Sequence, residues 1–413
     1  MRILITNYTL ATRSGTETYV RDLALGLLAK GHSPILYSPL GGPLADELRA
    51  LTIPVVDDLS KISGSVDLIH GQHRHETMTA LLHFPGVPAI FFVHDWHAWQ
   101  DIPPLFPRIL RYVAVDETRK DRLILENGIS ESIVRVLPNG VDIERFQPRP
   151  PLPEQPVRGL VFSNYIKNQT QLNVLKQACT KTGIALEVIG AGVKRTEPEP
   201  ELILPRYDLV FAMGRSALEA MAVGSGVVIW GLEGLGEFVT TDNFARLQQN
   251  NFGRRALRPT NVTELETAIR DFDAHEARAV QQHVRTTLNQ ASLVERHLDL
   301  YREVIKEAAS CVWNPTQELR AAAHYMKCCV PEQQQDARLT KESRRHERQT
   351  NRLMDIGWIS LALLVVGFGV RVETLAISMH NFGLAISTVP ICLLMGLAIY
   401  LMRTHLRGGS PST

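Results

Sequence analysis

The stretch GRSALEAMAVGSG (residues 214–226) sets Arg215, Ser216 and Glu219 among small residues, between two apolar runs. A strand over 208–213, a glycine turn at Gly214 and a helix over 217–223 make the half-unit with which α/β folds hold anions. Free N–H groups of a helix start meet the negative charge there. The same pattern suits any βα corner of a buried sheet, and these residues alone leave both readings open. Gly15, in TRSGTETYV (12–20), follows a short apolar run and opens a helix, so a ligand could approach its backbone closely. A capped helix start is the plainer alternative, and the lack of GxGxxG leaves a dinucleotide site unsupported. FFVHDWHAW (91–99) ends an apolar run in His94, Asp95, Trp96 and His97. Imidazole and carboxylate at a strand end can orient a hydroxyl or carry a proton near neutral pH. HGQHRHE (70–76) gathers His70, His73 and His75, but without a matching thiolate or carboxylate set it reads as polar strand-end residues rather than a metal site.

The elements that must position these groups alternate along the chain. Short apolar runs at 3–5, 33–38, 66–71, 89–94, 112–116 and 133–137 suit parallel strands covered on both faces. Residues 17–30 place Val20, Leu23, Ala24, Leu27 and Leu28 on one helical face, ending at Gly31. The proline-rich join PRPPLPEQP (148–156) interrupts the series as a stiff linker. Strand runs resume at 159–164, 185–190, 208–213 and 226–230, before a helical, charged stretch over 262–308. The expected fold class is α/β, with two Rossmann-like domains facing a cleft, the usual place for small-molecule chemistry. The boundaries fall at 1–150 and 151–310, followed by a polar helical connector over 311–353 and a transmembrane hairpin over 354–403.

That hairpin rests on two apolar runs, 356–370 and 382–402, the second with 21 uncharged residues. At 1.5 Å per residue the second is long enough for roughly 30 Å of hydrocarbon; the first is nominally short. A basic segment (338–352) precedes them, and Arg403 and Arg407 follow, which puts both ends in the cytoplasm. A hydrophobic helical pair in a globular core is the alternative. With 44 Lys and Arg against 43 Asp and Glu, no global field argues for nucleic acid. Five cysteines show neither a paired framework nor zinc spacing, which fits a reduced cytosolic setting. The N-terminus reads as a first strand rather than a signal peptide.

PNGVDIERFQP (138–148) is the most specific string. It resembles the hinge signature of retaining GT-B glycosyltransferases, family 4 in particular. SGTETYVRDLALGLLAKGH (14–32) resembles that family's glycine-rich donor-phosphate loop, VHDW (93–96) its strand-end histidine region, and 217–239 its nucleotide-binding segment. The resemblance covers residues 1 to about 308. It implies a GT-B fold, a nucleotide-sugar co-substrate (UDP- or GDP-linked), no metal and no other cofactor. Glu219 would hold the ribose hydroxyls, and Gly214, Arg215 and Ser216 would lie by the diphosphate or sugar. Lys167 would stabilise the departing diphosphate, and Glu237 would be a second acidic contact on a following loop. His94 would stand nearest the reacting sugar, with Gly15, Glu17, Asn139 and Gly190 as further substrate contacts. Two positions depart from the pattern: Phe211 stands where the family has its first paired glutamate, and Phe162 replaces an arginine.

The function expected is a metal-independent, hexosyltransferase-type enzyme at the cytoplasmic face of a membrane. It would move a sugar with retention to a glycan or lipid-linked acceptor, in polysaccharide biosynthesis. The alternatives are an epimerase or phosphorylase on the same fold, or a catalytically weakened sugar-nucleotide-binding protein.

Overall fold

The computed structural model of the chain describes residues 1–164, 166 and 169–329. Two parallel-stranded sheets organise them. The first has seven described strands: β1 (Arg2–Thr6), β2 (Ser33–Tyr37), β3 (Val55–Val56), β4 (Leu68–Gln72), β5 (Ala89–Val93), β6 (Ile109–Ala114) and β7 (Val134–Val136). Their order is β3-β2-β1-β4-β5-β6-β7. The second has β8 (Arg158–Phe162), β9 (Ala185–Ile189), β10 (Leu209–Ala212), β11 (Gly226–Gly231) and β12 (Gly234–Phe238), in the order β12-β11-β10-β8-β9. The apolar runs form strands because both faces are covered: every residue of β5 and β10 is fully buried. Among the described strands only β12 runs antiparallel, hydrogen-bonded to β11 across a turn with Gly234 at φ +128°.

Helices α1 (Gly15–Ala29), α2 (Pro43–Ala50), α3 (Arg74–His83) and α4 (Glu117–Asp121) accompany the first sheet. Around the second lie α5 (Gln169–Lys181), α6 (Pro200–Ile203), α7 (Gly214–Val223), α8 (Thr241–Gln248), α9 (Val262–Arg270) and α10 (Ala274–Thr287). Of the apolar stripe read over 17–30, Val20, Leu23, Ala24 and Leu27 are inaccessible on the buried face of α1, whereas Leu28 is turned to solvent, and Gly31 (φ +75°) stops the helix. In α7 the stop is Gly224 at φ +92°: its N–H meets Met221 O at 3.0 Å, and the Ser225 N–H meets Ala220 O at 3.1 Å.

One helix departs from sequence order. α11 (Gln290–Ala308) follows the second sheet in the chain, yet Val294, Leu298, Tyr301 and Val304 share the core of the first, with Ile3, Ile5 and Val20. The chain thus passes twice between the halves. The two passages are bonded to each other, Val141 N–H to Leu288 O and Gln290 N–H to Val141 O, both 2.9 Å.

The chain divides into two units, Met1–Ala323 and His324–Thr413. Residues 324–329 of the second are helical, and the apolar runs 356–370 and 382–402, with the hairpin expected there, lie outside the described residues. Among the described residues no helix is long and apolar enough to cross a membrane.

Candidate active site

Both sheets change direction at one point in their strand order, β1/β4 in the first and β8/β10 in the second. The loops after such strands diverge and leave a crevice at the carboxyl ends, where α/β sheets bind ligands. α1 starts at the first switch point and α7 at the second.

At the start of α7, Gly214 takes φ +58°, a left-handed turn that glycine makes without steric cost. Arg215 follows. Its Nε donates to Glu219 Oε1 at 3.0 Å, one helical turn on, and its Nη2 donates to Asp22 Oδ2 of α1, in the other half of the molecule. Arg215 and both carboxylates are almost wholly shielded from solvent. Burial disfavours the guanidinium charge, but Asp22 and Glu219 outweigh it and raise the Arg215 pKa. Burial likewise pushes the Glu219 carboxyl up, against the pull of Arg215 and Arg145. The cluster extends outward as alternating charge: Arg21 bonds Asp22 at 2.9 Å and Glu47 at 2.7 Å, and Arg145 bonds Glu201 at 2.7 Å. Glu219 and Arg215 therefore meet the first half of the molecule, through a partner, Asp22, that the stripe pattern of α1 gave no reason to single out.

Gly15 is exposed, its φ is not positive, and a Cβ built on it meets nothing within 4 Å. Internal packing does not require glycine there, so the space above it is open to a ligand. Glu17 is turned inward instead. It accepts hydrogen bonds from Thr12 Oγ1 (3.2 Å), Ser14 Oγ and Thr16 Oγ1 (3.1 Å), and so shapes the loop that carries Gly15.

His94 is partly buried at the end of β5 and packs edge-on against Tyr19 of α1, ring centroids 4.6 Å apart. Its Nε2 is shielded and has no hydrogen-bond partner. Its backbone N–H and that of Asp95 donate to Asp101 Oδ2 at 2.8 and 2.5 Å, which fixes the turn. Burial, then the charges of His73, Arg119 and Arg215, push the His94 pKa down to about 3. The imidazole is therefore neutral at pH 7, able to orient a hydroxyl but not to supply a charge. The other histidines are engaged separately: His70 Nδ1 with Tyr301 Oη at 2.6 Å, His73 Nδ1 accepting from the Tyr8 N–H at 2.8 Å, and the His75 ring 5.0 Å from Trp99. Among the described residues no group of three His, Cys, Asp or Glu is arranged to hold a metal.

These shifts predict an acid limb. Burial lowers His73 and His297 to about 4 as well. Below pH 6.5 the unfolded chain takes up protons at these imidazoles that the folded chain refuses, and stability falls by about 1.4 kcal/mol per pH unit for each. Asp101, raised by burial to about 6, acts oppositely between its unfolded value and pH 6, holding a proton in the folded state that the unfolded chain has released. His94→Gln should flatten the limb between pH 6.5 and 4 by about one proton's slope in urea unfolding. An unchanged slope would show that the imidazole ionises alike in both states.

Asn139 serves the junction between the halves. Its Nδ2 donates to Asn251 Oδ1 at 3.2 Å, and the Gly214 N–H donates to Phe252 O at 3.2 Å. Asn251 and Phe252 both have positive φ, +53° and +48°, a conformation of order 1–3 kcal/mol above the ordinary one for a bulky residue. The turn is held from the first half by Glu117 N–H to Gln249 O (2.9 Å) and by Thr118 Oγ1 to Asn250 Oδ1 (3.1 Å). Asn-Asn-Phe-Gly over 250–253 is a legible turn signal, but nothing in the sequence says what it touches.

Gly190 has an internal reason to be glycine, since a Cβ there would collide with the Ser163 carbonyl. Ser216 follows Arg215 in the first turn of α7 and is partly exposed. Glu237 lies within strand β12 rather than on a loop, paired with Arg246 at 2.7 Å. Its surface cavity of about 390 Å³ is lined by Leu235, Thr240, Asn243, Arg258 and Glu264, among other residues that include neither Arg215 nor Glu219. Lys167 lies outside the described residues. Phe211 is fully buried in the core beside Trp230, and Phe162 packs against the other core of the second half, so both departures from the family pattern are packing residues. A second cavity, about 240 Å³, opens between the halves and is lined by Asp95, Trp96, His97, Arg119, Arg254 and Arg255, among others.

Twin parallel sheets with facing switch points, joined by a hinge and closed by a returning C-terminal helix, are the GT-B architecture of glycosyltransferases. The family described as Glycosyltransferase Family 4 matches this chain over residues 13–145. Among solved structures, a glycosyltransferase from Rickettsia africae superposes with a TM-score of 0.53 at 15% identity, covering 74% of this chain and 99% of that one. Anabaena HepE, solved in complex with UDP and glucose, superposes with a TM-score of 0.53 at 16% identity, covering 73% and 99%. No curated protein matches the chain. The family-4 resemblance read from the hinge string thus has a matched family under its N-terminal part and a shared fold over most of its length.

Proposed function

We propose that the chain is a hexosyltransferase-type glycosyltransferase that moves a sugar from a nucleoside-diphosphate donor to an acceptor hydroxyl, with retention and without a metal. The observation that carries this reading is the meeting of Arg215 and Glu219, at one switch point, with α1 from the other. The family match over 13–145 and the UDP and glucose held by HepE on the same fold support it. Glu219 accepts the ribose hydroxyls, a carboxylate being able to take two at once. The backbone at Gly15 and Gly214 and the charge of Arg215 face the diphosphate, and the family resemblance assigns Lys167 to the same charge. In the reaction the acceptor oxygen bonds to the anomeric carbon as the bond from that carbon to the phosphate oxygen breaks. The nucleoside diphosphate leaves with the electron pair and takes up the acceptor's proton. His94, neutral, orients the sugar. Glu237, paired elsewhere, has no part in this reading. A membrane-linked glycan acceptor at the cytoplasmic face follows from the apolar runs at 356–370 and 382–402.

A thermal-shift panel of UDP- and GDP-sugars on the full chain tests the donor. A hundredfold excess over Kd should stabilise by about 2.7 kcal/mol, a rise of several degrees, for one base only. No shift with any nucleotide would remove the reading. The burial of Phe211 in the core, where the family has an acid, favours one second reading, a binder with weak turnover. Donor binding without release of nucleoside diphosphate across a panel of acceptors would establish it.

A further inference from the structure

The cavity of about 240 Å³ between the halves has walls from both: Asp95, Trp96 and Arg119 from the first, Arg254 and Arg255 from the second. Its charge is unbalanced. Arg119 bonds Asp116 (2.7 Å), Arg254 bonds Glu233 (3.3 Å) and Arg255 bonds Asp121 (2.7 Å), each through one guanidinium nitrogen. A guanidinium has five donors, so most remain uncommitted. Arg119 Nε is shielded from solvent and has no partner at all. Asp95 offsets only part of the charge of the three lining arginines, and its Oδ1 is turned back on its own loop, accepting from the His97 and Ala98 N–H groups at 2.6 and 2.8 Å. Burial opposes its ionisation, but those N–H groups and the field of Arg119 and Arg254 keep the carboxyl below the usual range. Asp95 is thus a fixed brace that leaves Trp96 in the wall.

The cavity wall adjoins His94, the chain neighbour of Asp95, whose imidazole feels the charges of both Arg119 and Arg215. A volume somewhat below that of drug-sized ligand pockets has room for one sugar unit rather than a chain. We propose that this cavity is the acceptor subsite and selects a saccharide bearing a carboxylate or a phosphate. Arg119, Arg254 and Arg255 hold the anion, and the Trp96 indole packs against the sugar ring. The word acceptor rests on the glycosyltransferase reading above; the anion selectivity does not.

The test uses the full chain in detergent, titrated with glucuronate, glucose 1-phosphate and methyl glucoside, and followed by calorimetry and tryptophan fluorescence. Both anionic sugars should bind at least tenfold more tightly than the neutral one, and Trp96→Phe should abolish the fluorescence change. Arg254→Ala/Arg255→Ala should weaken anionic binding at least tenfold, with UDP affinity within twofold of the parent and Arg254→Lys/Arg255→Lys largely restoring it. A parallel arm with vesicles carrying a polyprenyl-phosphate-linked sugar separates a lipid-linked anion from a soluble one, and binding in either arm supports the proposal. Equal binding of methyl glucoside, or undiminished anion affinity in the double alanine variant, overturns it. Should that variant unfold early, the half-exposed Arg254→Gln alone decides by the same criterion. If the parent binds anionic sugars but no nucleotide, the transferase reading fails while the cavity assignment stands.

Discussion

Glu219→Gln will weaken nucleoside-diphosphate binding by roughly thirty- to hundredfold while leaving the fold in place. The glutamine is isosteric and keeps an oxygen for the Arg215 Nε–H, so the ion cluster is weakened without being emptied. What it loses is the charge that makes hydrogen bonds from two ribose hydroxyls strong, about 2–3 kcal/mol in a shielded site. Isothermal titration with UDP and GDP against parent and variant reads this directly. Equal affinity would show that the Glu219 carboxylate serves Arg215 alone and that the donor lies elsewhere.

Arg215→Ala carries the second large effect, and it is on stability. The substitution leaves Glu219 buried without the cation it contacts, and Asp22 with Arg21 alone. Breaking a buried ion pair from one side typically costs about 3–5 kcal/mol, more than removing the whole group at once. The urea midpoint of Arg215→Ala should therefore fall sharply, and the triple variant Asp22→Asn/Arg215→Met/Glu219→Gln should recover most of the loss. A single variant as stable as the parent would mean that the bridge between α1 and α7 contributes nothing to holding the halves together. Any nucleotide that uses Glu219 must also reckon with Arg215, whose Nε already occupies one carboxylate oxygen.

Much of the scaffold was legible because parallel strands covered on both faces must be apolar throughout. The runs at 89–94 and 208–213 could be little else, and the glycines at 31 and 224 marked helix ends. The pairing of Arg215 with Glu219 was legible too, since the two sit one helical turn apart among alanines. Their partners were not. Asp22 lies on a helix whose pattern reports only its apolar stripe, and a charged residue beside that stripe looks like any solvated position. Arg254 and Arg255 follow a turn whose type could be read but whose neighbour, α4, is over a hundred residues away in the chain. β12 escaped notice because Gly-Leu-Gly-Glu-Phe lacks the β-branched residues that announce a strand. Glu237, which the family resemblance put on a loop, is found in that strand, paired with Arg246. At Gly190 the sequence could not show that the glycine also makes room for the neighbouring Ser163 carbonyl.

The return of α11 bears on how the molecule can move and how it can be divided. Two chain passages bonded side by side, at Val141 and at Leu288–Gln290, act as paired pins on a single axle. A fragment severed after the proline join would leave raw the groove that Val294, Leu298 and Tyr301 fill, so the N-terminal half is sealed only when synthesis has passed residue 304. Its integrity waits on the last helix of its neighbour.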